Sequence, residues 1–250
     1  MYPIIGITET VTPPPYYEIT ALTSNADVNQ PDQIWDFSSL NLYRHNEYGA
    51  FGGAINYANR KGFGASQLYL NAIPSVNESL WFDLGYGYAN KPELFANNTI
   101  YTEVYKKLNG NYVVSLGNNY KTIKNTYFDT ITGSIGKYVG YYYFGFRPNH
   151  YVTKSGPDST LLTFDARKYG DNPDQYIGVS FSTGTSPDLY DLITVNFFKV
   201  KNNIFFIQGQ QPLQEKIFFI YGAGYETQKF PNQFLRRLAY LNIGLKLRVA

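Results

Sequence analysis

Cysteine is absent from this 250-residue chain. That excludes disulfide staples and thiolate metal sites, and it fits an oxidising compartment. Only two histidines occur, His45 and His150, so nitrogen- and sulfur-rich zinc patterns cannot be assembled. A calcium loop needs several closely spaced oxygen ligands. Asp158 stands alone behind Pro157, and Asp171-Asn172-Pro173-Asp174 reads as a turn. No apolar run approaches the roughly 18 residues of a spanning helix. The i, i+3, i+4 spacing of an amphipathic helix is missing too, so Gly-rich phosphate loops lack the helix they require. Neither sign of charge dominates: 21 Lys and Arg face 19 Asp and Glu. The bases are scattered, which speaks against a nucleic-acid partner. No basic region or apolar stretch follows Met1-Tyr2-Pro3, so no signal peptide is read at this start. A secreted barrel would then be expected in mature form, with Met added.

What is present is aromatic and alternating. There are 25 Tyr and 18 Phe, and 44% hydrophobic residues coexist with a mean hydropathy of −0.31. Tyrosine has an apolar body and a wet tip, which suits a membrane interface. In the C-terminal stretch Leu241, Ile243, Leu245, Leu247 and Val249 point one way in an extended strand, and Tyr240, Asn242, Gly244, Lys246 and Arg248 the other. In 79–88, Leu80, Phe82, Leu84, Tyr86 and Tyr88 oppose Trp81, Asp83, Gly85 and Gly87. Segments 161–167, 176–182 and 99–105 alternate likewise. Two segments, 126–136 and 217–225, are apolar on both faces. Trp35 and Phe37 have the opposite parity to Leu40 and Leu42, which predicts a bulge near Ser38-Ser39.

Alternation and breakers place strands at 16–24, 34–46, 49–59, 63–73, 79–90, 97–108, 111–122, 125–137, 139–147, 159–170, 174–183, 193–211, 214–226 and 236–249. The segment 193–211 is taken as one strand with an irregularity. Short breakers near 46–49, 74–77 and 108–110 contrast with longer ones at 148–159 and 183–192, the layout of short turns at one rim and longer loops at the other. The expectation is an all-β chain: one closed, antiparallel, up-and-down transmembrane barrel of about 14 strands, with 12 or 16 as alternatives. Residues 1–15, with Pro13-Pro14-Pro15, form an extended lead-in, and 16–250 the barrel. A soluble two-sheet sandwich is the competing fold.

If the parities hold, Asp83, Glu103, Asp165, Arg167, Lys246 and Arg248 line a common interior. Charges there either border a water-filled path or pair and fill the lumen. His45 sits at a strand end beside Arg44 and Asn46. His150 falls in the 148–159 loop near Ser155, Asp158 and Ser159, the one place where a hydrolytic set could gather.

Two resemblances add to this. Asn242, Gly244, Leu247 and Val249 are spaced as in the C-terminal insertion signal of bacterial outer-membrane proteins, which the chain resembles here, except that Ala250 follows and no terminal aromatic does. That implies recognition of the last strand by the barrel-assembly machinery. The stretch from Trp35 to about Tyr143 resembles the YaiO family of outer-membrane β-barrels. The residues that carry this are Tyr48-Gly49-Ala50-Phe51, Ile55-Asn56-Tyr57-Ala58-Asn59-Arg60, Gly64-Ala65-Ser66-Gln67-Leu68-Tyr69, Ala89-Asn90-Lys91-Pro92-Glu93-Leu94-Phe95 and Tyr101-Thr102-Glu103-Val104-Tyr105. The resemblance implies a bacterial outer-membrane location and brings no settled activity; its links to surface polysaccharide are suggestive.

The first expectation is therefore a monomeric, non-enzymatic outer-membrane barrel in contact with lipid and lipopolysaccharide, without cofactor or metal. It would serve as a channel or docking barrel for a small solute or a surface polysaccharide. The alternatives are a surface enzyme modifying lipid or glycan through His150, and a closed structural or adhesive barrel whose 148–159 and 183–192 loops bind a partner.

Overall fold

The computed structural model describes residues 14–29, 34–60, 62–91, 94–124, 126–154, 156–188 and 199–249. They form β1 (Tyr16–Val28), β2 (Ile34–Asn46), β3 (Gly49–Arg60), β4 (Phe63–Asn77), β5 (Leu80–Ala89), β6 (Asn98–Leu108), β7 (Tyr112–Ile123), β8 (Thr126–Val139), β9 (Tyr142–Thr153), β10 (Ser159–Tyr169), β11 (Tyr176–Pro187), β12 (Lys199–Gln214), β13 (Ile217–Lys229) and β14 (Leu235–Val249). Each strand pairs with its sequence neighbours, and β14 pairs with β1 from Tyr17↔Val249 to Val28↔Leu238. The result is a closed antiparallel barrel with no free sheet edge.

The parity of β14 shows which face is which. Leu241, Ile243, Leu245 and Leu247 are 53, 43, 52 and 39% exposed, while Gly244 and Lys246 are buried. Among the described residues no second sheet covers the aliphatic face, and the strands close into one barrel instead of a sandwich. Leu40, Leu68, Leu116, Ile135, Phe164 and Phe205 extend the same outward belt around the wall. Exposed aromatics stand at both ends of it: Tyr17, Phe51, Tyr141 and Tyr142 at one, Tyr57, Phe63, Tyr88 and Tyr127 at the other. An apolar band between two aromatic girdles is the outer surface of a bilayer-spanning barrel. A charge at mid-strand, as in Ile243→Arg, is expected to cost about 2–4 kcal/mol, measured by urea unfolding from lipid vesicles.

Both described chain ends lie at one rim. That rim carries the connections 47–48, 78–79, 109–111, 140–141, 170–175 and 215–216. The opposite rim carries the longest ones, 90–97 and 188–198, although 61–62 and 124–125 there are as short as any. The extended lead-in at 1–13 lies outside the described residues; Pro14 and Pro15 precede β1.

Four placements differ from expectation. No bulge interrupts β2 near Ser38-Ser39: its register with β1 and β3 is continuous, and Trp35 and Phe37 face the interior. Strand β9 continues through Pro148 to Thr153, so His150 lies in a strand and not in a loop. The β8–β9 pairing skips Pro148 and Arg147, so the missing N–H of Pro148 falls where that ladder is interrupted. Residues 183–187 likewise belong to β11, and 189–192 lie outside the described residues. The irregularity expected within 193–211, around Lys201-Asn202-Asn203, is not there: the register of β12 is continuous through those residues and shifts only between Pro212 and Gln214.

Candidate functional site: the barrel lumen

The inner faces of 14 strands bring together residues far apart in sequence. Near the rim of the chain ends, a lumen cavity of about 600 Å³ is bordered by Glu18, Asp83 and Asp174, by Arg167, Lys246 and Arg248, and by Tyr43, Tyr69, Tyr101, Tyr169 and Tyr176. A second cavity of about 590 Å³ at the rim shares His45, Ala50 and Ile73 with it. The two cavities thus share a wall near that rim.

The charges within are arranged in pairs. Arg248 grips the Asp174 carboxylate with both terminal nitrogens, at 2.5 and 2.6 Å. Its Nε and the Lys246 ammonium each lie 3.5 Å from Glu18. Phe218 packs beneath both cations, 4.9 and 5.0 Å from its ring centre. Asp83 accepts a 2.7 Å hydrogen bond from Asn71. Arg167 lies over the rings of Tyr143 and Tyr176.

Glu103 and Asp165 stand deeper. Glu103 has a fully buried side chain, takes a 2.9 Å contact from Arg147 and accepts a hydrogen bond from the Tyr101 hydroxyl. Arg147 also donates to Thr132 at 3.1 Å. Asp165 borders a gap of only about 30 Å³ beside Arg147 and Arg167. The stacked rings of Trp81 and Tyr105, 5.3 Å apart, close that side. Two glycines make the crowding possible. A Cβ at Gly117 would come within 2.7 Å of the Glu103 side chain, and one at Gly85 would strike Tyr69, which lies flat along the wall.

At the other rim the described part of the 90–97 connection packs inward. Leu94 and Ala96, from the 90–97 connection, are buried against inward Ala58, Ala65 and Phe37 and against Ile123 and Phe128. A cavity of about 260 Å³ lies below, bordered by Tyr69, which also borders the larger one. Across the mouth, Arg236 joins Asp188 at 2.5 Å and Gln228 at 2.5 Å, Gln228 joins Glu226, and Tyr240 donates to Glu226 at 2.5 Å.

All six candidate charges face this interior. Asp83, Arg167, Lys246 and Arg248 share the larger cavity, whereas Glu103 and Asp165 are drawn into the packed wall beside Arg147. Sequence reading missed Glu18, Arg147 and Asp174. Arg147 had a readable signal, since Tyr143, Gly145 and Arg147 alternate with Phe144 and Phe146. Of the four residues spaced like an insertion signal, Asn242 faces inward and accepts from Ser24 at 2.6 Å, Gly244 sits opposite Leu22, and Leu247 and Val249 face outward. His45 is buried and stacked on Tyr16 at 4.5 Å. His150 is exposed on the outer wall and meets Thr160 at 3.0 Å. Among the described residues no group of three His, Asp or Glu could hold a metal ion.

The comparisons agree with this architecture. The outer membrane protein Omp33 of Acinetobacter baumannii superposes with a TM-score of 0.52 at 12% identity, over 93% of this chain and 98% of that one. OprD of Pseudomonas aeruginosa superposes with a TM-score of 0.52 at 6% identity, over 94% of this chain and 96% of that one. At such identities the likeness is one of fold. No curated protein matches by sequence. The profile of the YaiO membrane beta barrel domain matches residues 16–189, which run from β1 to the end of β11. The chain belongs to the YaiO family of membrane β-barrels.

Proposed function

We propose that the protein is a non-enzymatic barrel of the bacterial outer membrane whose lumen takes up a small polar solute or a segment of saccharide. The observation that carries this is the 600 Å³ cavity, within the range of small-molecule sites. Its three acids and three bases sum to no net charge, which suits a neutral, hydroxyl-rich ligand better than an ion. Its tyrosines offer apolar faces beside hydroxyl groups, the combination that a sugar ring presents in complement. The last strand, closing on β1, supports a role for Asn242, Gly244, Leu247 and Val249 in recognition by the assembly machinery.

The protein is inserted into a planar bilayer and its ion current is recorded while neutral oligosaccharides are added. Small current steps are expected, because paired side chains crowd the lumen, and the sugars should interrupt them. Insertions that stay silent, or a current indifferent to every sugar, would overturn the reading. His150 is exposed on the outer wall, with the Thr160 hydroxyl as its hydrogen-bond partner.

A further inference from the structure

The outer wall at the rim of the longest connections bears four cations on three consecutive strands. Lys199 and Lys201 of β12, Lys229 of β13 and Arg237 of β14 all point outward and are exposed. Lys201 and Lys229 are direct cross-strand partners. Like charges so placed, with Cβ atoms about 5 Å apart, repel each other. Arg237 is diagonal to Lys229, whose partner is Leu235; that spacing is about 7–8 Å. None of the four forms an ion pair with a described residue. Among the described residues the outward positions of β11–β14 hold no Asp or Glu; the nearest outward acid is Asp27 of β1, opposite Ala239 and diagonal to Arg237, so the three lysines carry the uncompensated charge.

The layers beneath give the cluster its meaning. Moving away from the rim, the next outward residues are Thr183, Asn203 and Thr227, with a 2.8 Å hydrogen bond from Thr183 to Asn203. Phe181, Phe205 and Tyr225 follow, all exposed. Positive charge, then neutral polar groups, then apolar rings is the depth profile of a bilayer surface, where headgroup phosphates lie outside the ester layer and the hydrocarbon. The other outward cations, Arg44, Lys106, Lys137 and Lys168, stand on β2, β6, β8 and β10, no two of them adjacent.

We infer that Lys199, Lys201, Lys229 and Arg237 form a docking site for a phosphate-bearing lipid headgroup of the leaflet at that rim. The phosphate relieves the repulsion between Lys201 and Lys229, and the acyl chains lie along the aromatic and aliphatic wall below. The inference rests on the barrel spanning a membrane and is independent of what the lumen takes up.

The test titrates the detergent-purified barrel with diphosphoryl lipid A and counts bound lipid by native mass spectrometry. Each basic residue at an anionic lipid surface contributes about fivefold, so the Lys201→Gln/Lys229→Gln double variant should bind about thirtyfold more weakly. Lys199→Gln/Arg237→Gln should act alike, whereas Lys106→Gln/Lys137→Gln should leave binding unchanged. Heat-dependent gel mobility shows that each variant is folded. Equal binding by wild type and both cluster variants would overturn the proposal. So would equal binding of a dephosphorylated lipid A, or full competition by millimolar inorganic phosphate, which would make free phosphate the ligand.

Discussion

Replacing Arg147 with leucine is expected to destabilise the barrel by about 3–5 kcal/mol, the usual cost of removing one partner from a buried ion pair. Glu103 has no solvent access, and Arg147 is its ion-pair partner at 2.9 Å. The two stand on β9 and β6, so the pair ties opposite flanks of β7 and β8 through the lumen. Leucine would fill much of the volume and leave the carboxylate in a dry wall beside Trp81 and Tyr105. Replacing both, as Glu103→Gln with Arg147→Leu, should cost less than Arg147→Leu alone, because the uncompensated charge is gone. Urea titration in detergent, followed by the emission of Trp35 and Trp81, measures both. A single variant as stable as the wild type would mean that water reaches Glu103.

The strand count was legible because lipid and lumen impose opposite demands on alternate residues; the rim layout was legible only in part, since 148–153 and 183–187 extend β9 and β11. Leu241 to Val249 could be sorted by parity alone, and so could Asp83, Asp165 and Arg167. Parity failed as a guide wherever the lumen is apolar. Trp35 and Phe37 suggested a bulge because an inward aromatic pair looks like a lipid-facing one; in fact Trp35 is buried beside Ala26, Val28 and Leu238. Phe218 and Phe128 made their segments look two-faced for the same reason, each being an inward ring under a cation. Pro148 concealed the second half of β9, from 148 to Thr153, and with it the strand position of His150. The partners of the interior charges were not legible at all. Asp174 comes from a turn and reaches β14 past β12 and β13, and no local pattern records such a crossing.

That crossing leads to the second large effect: breaking it with Arg248→Gln should raise access to the lumen by about ten- to a hundredfold. The 170–175 connection folds inward, so that Pro173 and Asp174 border the cavity. It is held there by the bidentate contact of Asp174 with Arg248, by Gln210 donating to the Asp174 carbonyl at 2.7 Å, and by Gln175 donating to Gln211 at 2.8 Å. Hydrogen bonds to charged groups contribute about 1.5–3 kcal/mol net, and about 1.4 kcal/mol corresponds to a tenfold change in an equilibrium. Losing the Arg248 contact therefore shifts the turn toward its released state by that range. The absence of cysteine makes the readout clean: Thr20, on the cavity wall, is changed to cysteine as the sole thiol, and its modification by a charged, membrane-impermeant reagent is timed. Asp174→Asn should accelerate the reaction as Arg248→Gln does, since it cuts the same contact from the other side, and Lys168→Gln, on the outer wall, should not. Identical rates in all four proteins would show that the turn does not govern the way in.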